Sequence, residues 1–346
     1  MASAIINSVA IVECLEASVE DFESIWELIQ EYGDQTDRWV SKEGLKFAAF
    51  KEKSFEYIIA KYNGKVVGIA SLYYLHYYWY GKSMCIDEII TFKSHLFTDE
   101  DVVTLLLQKA MEILLKRNCH TLCLILLESD LSQFTKLGGE VEIGFKILRI
   151  SKIAINQFAK EKSELNKHYL IRAGVKEDIP SLLYLIQCSA VFQGEPLLLD
   201  ANEKMISEDT FDKKQIGAIV IEADAIASVE SDKDGADVSP AVEMPHNPRI
   251  IGMVLYYTFY CKRRGKVLHF TRLFVKERHR KQGLGTELMR ECTKRAIMEG
   301  CEEINGKINE QSTKLIKFYE KLGGVILTNY VTMNFSRDCL LGSLKM

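Results

Sequence analysis

The sequence predicts an α/β (α+β) protein made of two copies of one unit, each a mixed central sheet flanked by helices. Three observations carry this. The 346 residues are enough for about two domains. Segments with strand-forming and helix-forming apolar periods alternate along the chain. A motif set also recurs at a nearly constant offset. Val67-Gly68 opens a segment that passes an aromatic run to Gly81-Lys82, and Ile251-Gly252 opens one that passes Tyr256-Tyr257 to Gly265-Lys266. The glycines stand 13 apart in both copies (81 − 68 and 265 − 252). Lys136-Leu137-Gly138-Gly139 recurs as Lys321-Leu322-Gly323-Gly324 at an offset of 185 (323 − 138).

Each copy opens on a short strand, Val9–Cys14 or Tyr169–Arg172. A helix follows with apolar positions at Phe22, Ile25, Trp26 and Ile29, or at Ile179, Leu182, Leu183 and Ile186. A second helix leads to β-rich segments, Phe55–Tyr62 with Val66–Tyr74, and Ile216–Glu222 with Ile250–Tyr257. Next comes a long helix, Asp99–Lys116 or Gly285–Glu299. A strand, a helix stopped at Leu-Gly-Gly and a closing strand complete the copy. The polar stretch from Gln157 to Lys167 marks the expected boundary, giving units 1–156 and 168–340. Asp224 to Pro248, rich in Asp, Ser, Ala and Pro, reads as a mobile surface loop inside the second unit.

Composition narrows the function classes. With 47% hydrophobic residues and a net charge of −4, the molecule is not shaped to coat nucleic acid. No uncharged apolar stretch is long enough for a membrane span, and the first residues lack the pattern of a signal peptide. The nine cysteines form no CxxC or Cys/His cluster, so neither a disulfide framework nor a bound metal is expected. The expectation is a reduced cytoplasmic protein that touches neither membrane nor nucleic acid.

The chemistry concentrates between residues 266 and 286. A strand from Lys266 to Val275 runs through Lys276–Arg280 into Gln282-Gly283-Leu284-Gly285-Thr286 and directly into a helix with Leu284, Leu288, Cys292 and Ala296 on one face. A glycine turn at a helix start binds anions, because the first helical amides lack acceptors and the helix dipole favours negative charge there. Arg278, His279, Arg280 and Lys281 add positive charge. A helix entry with incidental glycines is the plainer alternative for such a turn. The turn is neither a triphosphate P-loop nor the longer dinucleotide fingerprint.

Arg280-x-x-Gly283-x-Gly285 resembles the signature of the GNAT acetyltransferases. The resemblance extends over about residues 169–335, through Ile171-Arg172-Ala173 with Asp178, Ile251-Gly252 with Tyr256-Tyr257, and Phe318-Tyr319 with Gly323-Gly324. Within that family the strand and Leu-Phe-Val are most similar to the diamine (spermidine/spermine) acetyltransferases. The resemblance implies acetyl-CoA as cosubstrate, an amine acceptor and no metal. It implies that Leu273, Phe274 and Val275 pair with the pantetheine arm. The segment Arg280, Lys281, Gln282, Gly283, Leu284, Gly285 and Thr286 would bind the pyrophosphate. Ser312 stands where the family often has Asn at the coenzyme site. Tyr319 would protonate the coenzyme thiolate as general acid, a late proton donation suited to a phenol. An alkylamine must shed a proton before attack, and His269 is the candidate base, with Glu302 and Glu310 as further candidates.

Two departures matter. Diamine acetyltransferases carry an acidic pair where this chain has Thr271 and Arg272, and a cation there repels a polyamine. The first copy keeps Asp87 and Glu88 at those positions, but has Leu96-Phe97-Thr98-Asp99-Glu100-Asp101 in place of the glycine turn and Phe134 in place of Tyr319. One coenzyme site is therefore expected, with the first copy degenerate. Asp87 and Glu88 then either support the fold or line a cleft shared with the second copy. Tyr73, Tyr74, Tyr77, Tyr78, Trp79 and Tyr80 read as interface packing before they read as a stacking platform. Many GNAT enzymes dimerise, so a tandem chain would be its own pseudo-dimer, as monomer or homodimer. A non-catalytic acyl-CoA sensor or scaffold is the competing function. Arg272, Lys262, Arg263 and Arg264 would suit an acceptor carrying a carboxylate.

Overall fold

In the computed structural model the described residues are 2–6, 10–32, 40–77, 81–94, 97–193, 201–224 and 249–336. The expected loop after Asp224, residues Tyr78, Trp79 and Tyr80, the side chain of Tyr77, and Leu96 lie outside them. The first half contains β1 (Ala2–Ile6), β2 (Ala10–Glu16), α1 (Phe22–Tyr32), α2 (Lys42–Lys46), β3 (Glu56–Tyr62), β4 (Lys65–Tyr77), β5 (Gly81–Thr91) and α3 (Asp99–Lys116). It continues through β6 (Thr121–Leu127), α4 (Leu131–Lys136), β7 (Glu140–Val141), β8 (Phe145–Ser151) and α5 (Lys152–Lys160). The second half contains β9 (Tyr169–Ala173), α6 (Ile179–Gln193), α7 (Glu203–Ile206), β10 (Gly217–Ala223), β11 (Ile250–Cys261), β12 (Gly265–Val275) and α8 (Leu284–Met298). It ends with β13 (Glu303–Asn309), α9 (Thr313–Lys321), β14 (Gly324–Leu327) and β15 (Tyr330–Ser336). The periodicity thus located the α/β elements and both halves of the repeat.

Two mixed sheets result. The first has the order β1-β2-β3-β4-β5-β6-β15-β7 and the second β14-β8-β13-β12-β11-β10-β9. Among the described residues only β5–β6 and β12–β13 are parallel pairs. A parallel pair needs a crossover, and α3 and α8 supply it.

The halves exchange their closing strands. β15, from the second half, pairs with β6 from Tyr330 opposite Leu127 to Ser336 opposite Thr121. β8, from the first half, lies between β13 and β14 of the second sheet. The boundary read from composition at 157–167 therefore does not separate the sheets. Residues 145–160 join the second sheet and its helices, and residues 330–336 complete the first. Apolar burial accounts for this. Leu148, Ile150, Ile155 and Phe158 enter the core of Leu288 and Ile304, while Met333 and Phe335 enter that of Leu122 and Leu124.

The repeated glycine pairs seat the exchanged strands. A Cβ on Gly139 would come 2.3 Å from the Met333 sulfur, and one on Gly324 would come 2.7 Å from Leu148. The halves also meet through aromatic rings, with Tyr73 stacked on Phe259 at 4.4 Å and Phe55 on Tyr260 at 5.5 Å. Tyr74, which is partly buried, instead lies beneath Lys82 and Arg117. Among the described residues no helix is long and apolar enough to cross a membrane.

Candidate active site

The site forms where the second sheet opens. β12 runs parallel to β13 only from Val267 opposite Glu303 to Phe270 opposite Gly306. Thr271 then forms a bulge against Leu255 and Tyr256, and β12 continues beside β11 to Val275 without β13. The edge of Leu273, Phe274 and Val275 that faces away from β11 has no strand partner among the described residues. A bulge re-aims the chain, and here it marks the point of divergence. Gly306 is required opposite Phe270, because a Cβ there would meet the ring at 2.5 Å.

Beyond Val275 the chain turns into α8. Arg280 donates from Nε to the Val275 carbonyl at 2.9 Å, and its guanidinium lies over Phe192 at 4.2 Å and Phe274 at 5.3 Å. Lys281 and Gly283 take left-handed conformations with φ of 63° and 78°. Gly283 caps the helix, and the first helical bond runs from Glu287 N to Gly283 O. The amides of Leu284, Gly285 and Thr286 have no acceptor among the described residues. Gln282 is held from the side by the Tyr169 hydroxyl, which donates to Oε1 at 2.7 Å. His279 is buried beneath the edge of Tyr169, so it shapes the turn and does not face solvent.

The matching helix start in the first half is closed. Thr98 Oγ1 accepts from Asp101 N at 3.1 Å, and Asp101 Oδ2 accepts from Thr98 N and Oγ1. This capping box uses up orphan amides and adds negative charge.

The first half also braces α8. Arg290 donates to the carbonyls of Phe158 and Glu161 at 2.7 and 3.1 Å, and its guanidinium lies over the Phe158 ring at 4.4 Å. Glu287 accepts from Ser163 Oγ at 2.7 Å. A buried Arg–Glu pair next to the turn fixes the direction of the helix start. Sequence reading missed Ser163, Glu287 and Arg290, because their partners lie far off in sequence. The one signal available was two charges on the buried face of an otherwise amphipathic helix.

Tyr319 lies below the opening, stacked on Phe270 at 5.4 Å and edge-on to Phe318 at 4.9 Å. It is 3% exposed, and burial pushes its phenol well above the usual range. Its hydroxyl has no hydrogen-bond partner among the described residues. Ser312 is the N-cap residue of α9, three positions before Leu315, and its amide donates to Asn309 O at 3.1 Å.

His269 faces the other side of the sheet. Its Nδ1 donates to Asn305 Oδ1 at 2.7 Å, and its ring stacks on Tyr257 at 5.0 Å. Burial lowers its pKa to about 4, against the Asn305 bond, so the ring is neutral with Nε2 unprotonated. Asn305 was also missed. The polar alternation of Glu303, Asn305 and Lys307 along a strand is the signal that pointed to it. Arg272 is buried on β12 directly after the bulge. Glu302 pairs with Lys152 at the start of β13, and Glu310 is exposed beyond its end, so the site residues expected from the sequence are not brought into one cluster.

Asp87 and Glu88 grip the turn between β11 and β12. Asp87 accepts from Lys262 N at 3.0 Å and from the Cys261 thiol at 3.6 Å. Glu88 binds Arg263 at 2.6 Å and also pairs with Lys262, which is 1% exposed.

The sequence profile of the Acetyltransferase (GNAT) family matches residues 207–324. Thialysine N-epsilon-acetyltransferases of Bos taurus and Sus scrofa are 26% and 27% identical over 93 residues, which is 27% of this chain. The chain spans about half the length of these curated relatives, 55% in each case. A tandem GNAT protein from the clavulanic acid biosynthesis pathway superposes with a TM-score of 0.53 at 11% identity, covering 94% of this chain and 98% of its own. A GCN5-related N-acetyltransferase from Sphaerobacter thermophilus gives 0.54 at 13% identity, covering 94% and 96%. Residues 207–324 thus match the GNAT acetyltransferase profile, and the fold of the chain is similar to that of a tandem GNAT protein.

Proposed function

We propose that the second half, residues 168–340 completed by β8 and α5, transfers acetyl from acetyl-CoA to a primary amine of a small molecule or peptide. The observation that carries this is the open helix start at Gly283–Thr286, beside a strand edge left bare from Leu273 to Val275. Phosphate anions suit such amides, and an extended amide-bearing arm suits such an edge. Arg280, Lys281 and Gln282 lie along the path between them, and Ser312 heads the helix across the opening. The first half, with its capped helix and Phe134, binds no coenzyme in this reading, which makes one site per chain.

The neutral amine attacks the thioester carbon, the nitrogen of the tetrahedral intermediate gives its second proton to water, the intermediate expels the coenzyme thiolate, and Tyr319 Oη–H protonates the sulfur. The tyrosinate regains its proton from water. The amine sheds its own proton through water before attack. At a pKa near 4 His269 is a poor proton store, and it is buried on the face of the sheet opposite Tyr319, so in this reading water and not His269 takes the proton of the amine. Arg272 disfavours a polycation and favours an acceptor with a carboxylate. Thialysine, suggested by the names of the relatives, belongs at the head of the acceptor panel.

The test is release of free coenzyme thiol from acetyl-CoA across that panel, together with calorimetric titration of acetyl-CoA. Turnover with one bound acetyl-CoA per chain is expected. Tight binding without release from any amine would sink the enzyme reading and leave the sensor.

A further inference from the structure

The first sheet opens in the same way as the second. β5 leaves β6 after Ile86 opposite Leu124, and Asp87 is the bulged residue. The gap is not filled by protein. It holds a cavity of about 380 Å³, walled by Ile86–Ile90 and Leu124–Leu127 and closed by residues of the second half. That volume is in the range of small-molecule sites.

Two polar groups in its wall are incompletely used. Arg264 Nη1 donates to both carboxylate oxygens of Glu303 at 3.0 and 3.2 Å. Its Nε is buried with no hydrogen-bond partner, and Nη2 donates no hydrogen bond among the described residues. The Nε–Nη2 edge is the fork that takes a carboxylate in two parallel bonds. A buried donor left without a partner calls for an explanation. Glu303 is already shared with Arg149, so it does not turn to that edge.

Asp87 is the complement. Among the described residues its carboxylate meets no cation within ion-pair distance, although it accepts from the Lys262 amide and the Cys261 thiol. The adjacent Glu88 has both Lys262 and Arg263. Asp87 and Arg264 are neighbours: burial works against the Arg264 charge, and Glu303, with Cys261 and Asp87, outweighs it. An apolar part of the wall is formed by Leu124, Leu126, Phe134, Ile147 and Leu327, while Glu88, Arg263 and Glu303, which also line it, are already ion-paired.

We propose that this cavity binds a free α-amino acid with an apolar side chain, its carboxylate on the unpaired Nε–Nη2 edge of Arg264 and its ammonium on Asp87. One anion receptor and one cation receptor in the same wall match a zwitterion. A simple anion would meet Asp87 unpaired, and a simple cation would meet Arg264. The residue matching Tyr319 here is Phe134 and the helix start is capped, so this is not a second acetyl-transfer centre, although Asn305, the partner of His269, also lines the cavity. It does not depend on the acetyl-transfer reading.

Calorimetric titration of the full chain with L-leucine, without acetyl-CoA, tests this. Saturable one-site binding is expected. Leucinamide, which lacks the carboxylate, and 4-methylpentanoate, which lacks the ammonium, should each bind at least about tenfold more weakly. Arg264→Lys and Asp87→Asn should weaken L-leucine by a similar factor, with folding verified from the unfolding midpoint. Tyr319→Phe should leave L-leucine affinity unchanged. If Arg264→Lys does not fold, the isosteric Asp87→Asn decides. No binding of L-leucine, equal binding of either analogue, wild-type affinity in Asp87→Asn, or weakening by Tyr319→Phe would each overturn the proposal.

Discussion

Met333 rests on Gly139: the glycine lacks a Cβ at the point where the methionine sulfur and the Phe335 ring, both carried by the exchanged strand β15, need the space. Gly139→Ala should push β15 outward and cost about 1–3 kcal/mol, read as a lower midpoint in urea unfolding of the whole chain. Gly324→Ala should behave differently. Its Cβ would meet both Leu148 and the Tyr319 carbonyl at 2.8 Å, and a carbonyl cannot step aside as a side chain can. Loss of turnover as well as stability is expected there, whereas Gly139→Ala should lose stability alone.

Gly283 isolates the backbone contribution to coenzyme binding. A Cβ there has nothing within 4 Å, yet φ is +78°. The cost of Gly283→Ala is therefore torsional, about 1–2 kcal/mol, which corresponds to roughly tenfold in acetyl-CoA affinity if the turn relaxes to avoid it. Gly283→Asn should lose less, since Asn visits that region more readily. Calorimetry on both variants checks the order, and equal affinities for all three proteins would refute the role of the turn.

Tyr319→Phe should slow turnover about 10²- to 10⁴-fold with acetyl-CoA affinity changed less than about twofold. Burial holds the phenol above its usual range, so it remains protonated well into alkaline pH. The rate should rise with pH as the amine loses its proton, without a downturn from Tyr319. Loss of coenzyme binding in this variant would reassign the residue to packing.

His269 should make the fold acid-sensitive. The folded ring has a pKa of about 4, against about 6.5 for an unfolded histidine. Between those values the unfolded chain binds a proton that the folded one refuses, so stability falls as pH drops from about 6.5 to about 4, by up to ~3 kcal/mol. Unfolding midpoints over that window should fall less steeply for His269→Gln, which still offers a donor to Asn305. Parallel curves for the two proteins would count against the assignment.

Much of this architecture was legible because it is local. The glycine turn, the helix with Leu284, Leu288, Cys292 and Ala296 inward, and the Phe318-Tyr319 motif are written in neighbouring residues. The exchange was not. β8 and β15 follow the same glycine pair and carry similar apolar patterns, so either could close either sheet as far as periodicity goes. What selects the exchanged pairing is contact between remote residues, such as Leu148 over Gly324 or Arg290 on the Phe158 carbonyl. The same reason hid Asn305 beside His269 and the grip of Asp87 on the Lys262 amide. The acidic pair was read as remarkable for its charge, but its partners became visible only with the turn at Cys261–Arg264 in place.

The strand exchange also orders events during synthesis. Residues 330–336 leave the ribosome after the other strands of both sheets, so the first sheet waits with a gap between β6 and β7 while the rest of the second half is made. β8 is ready early, and waits for β13. Each half thus acts as the holding template for the other, and a chain stopped short of Tyr330 would harm the half that was finished first.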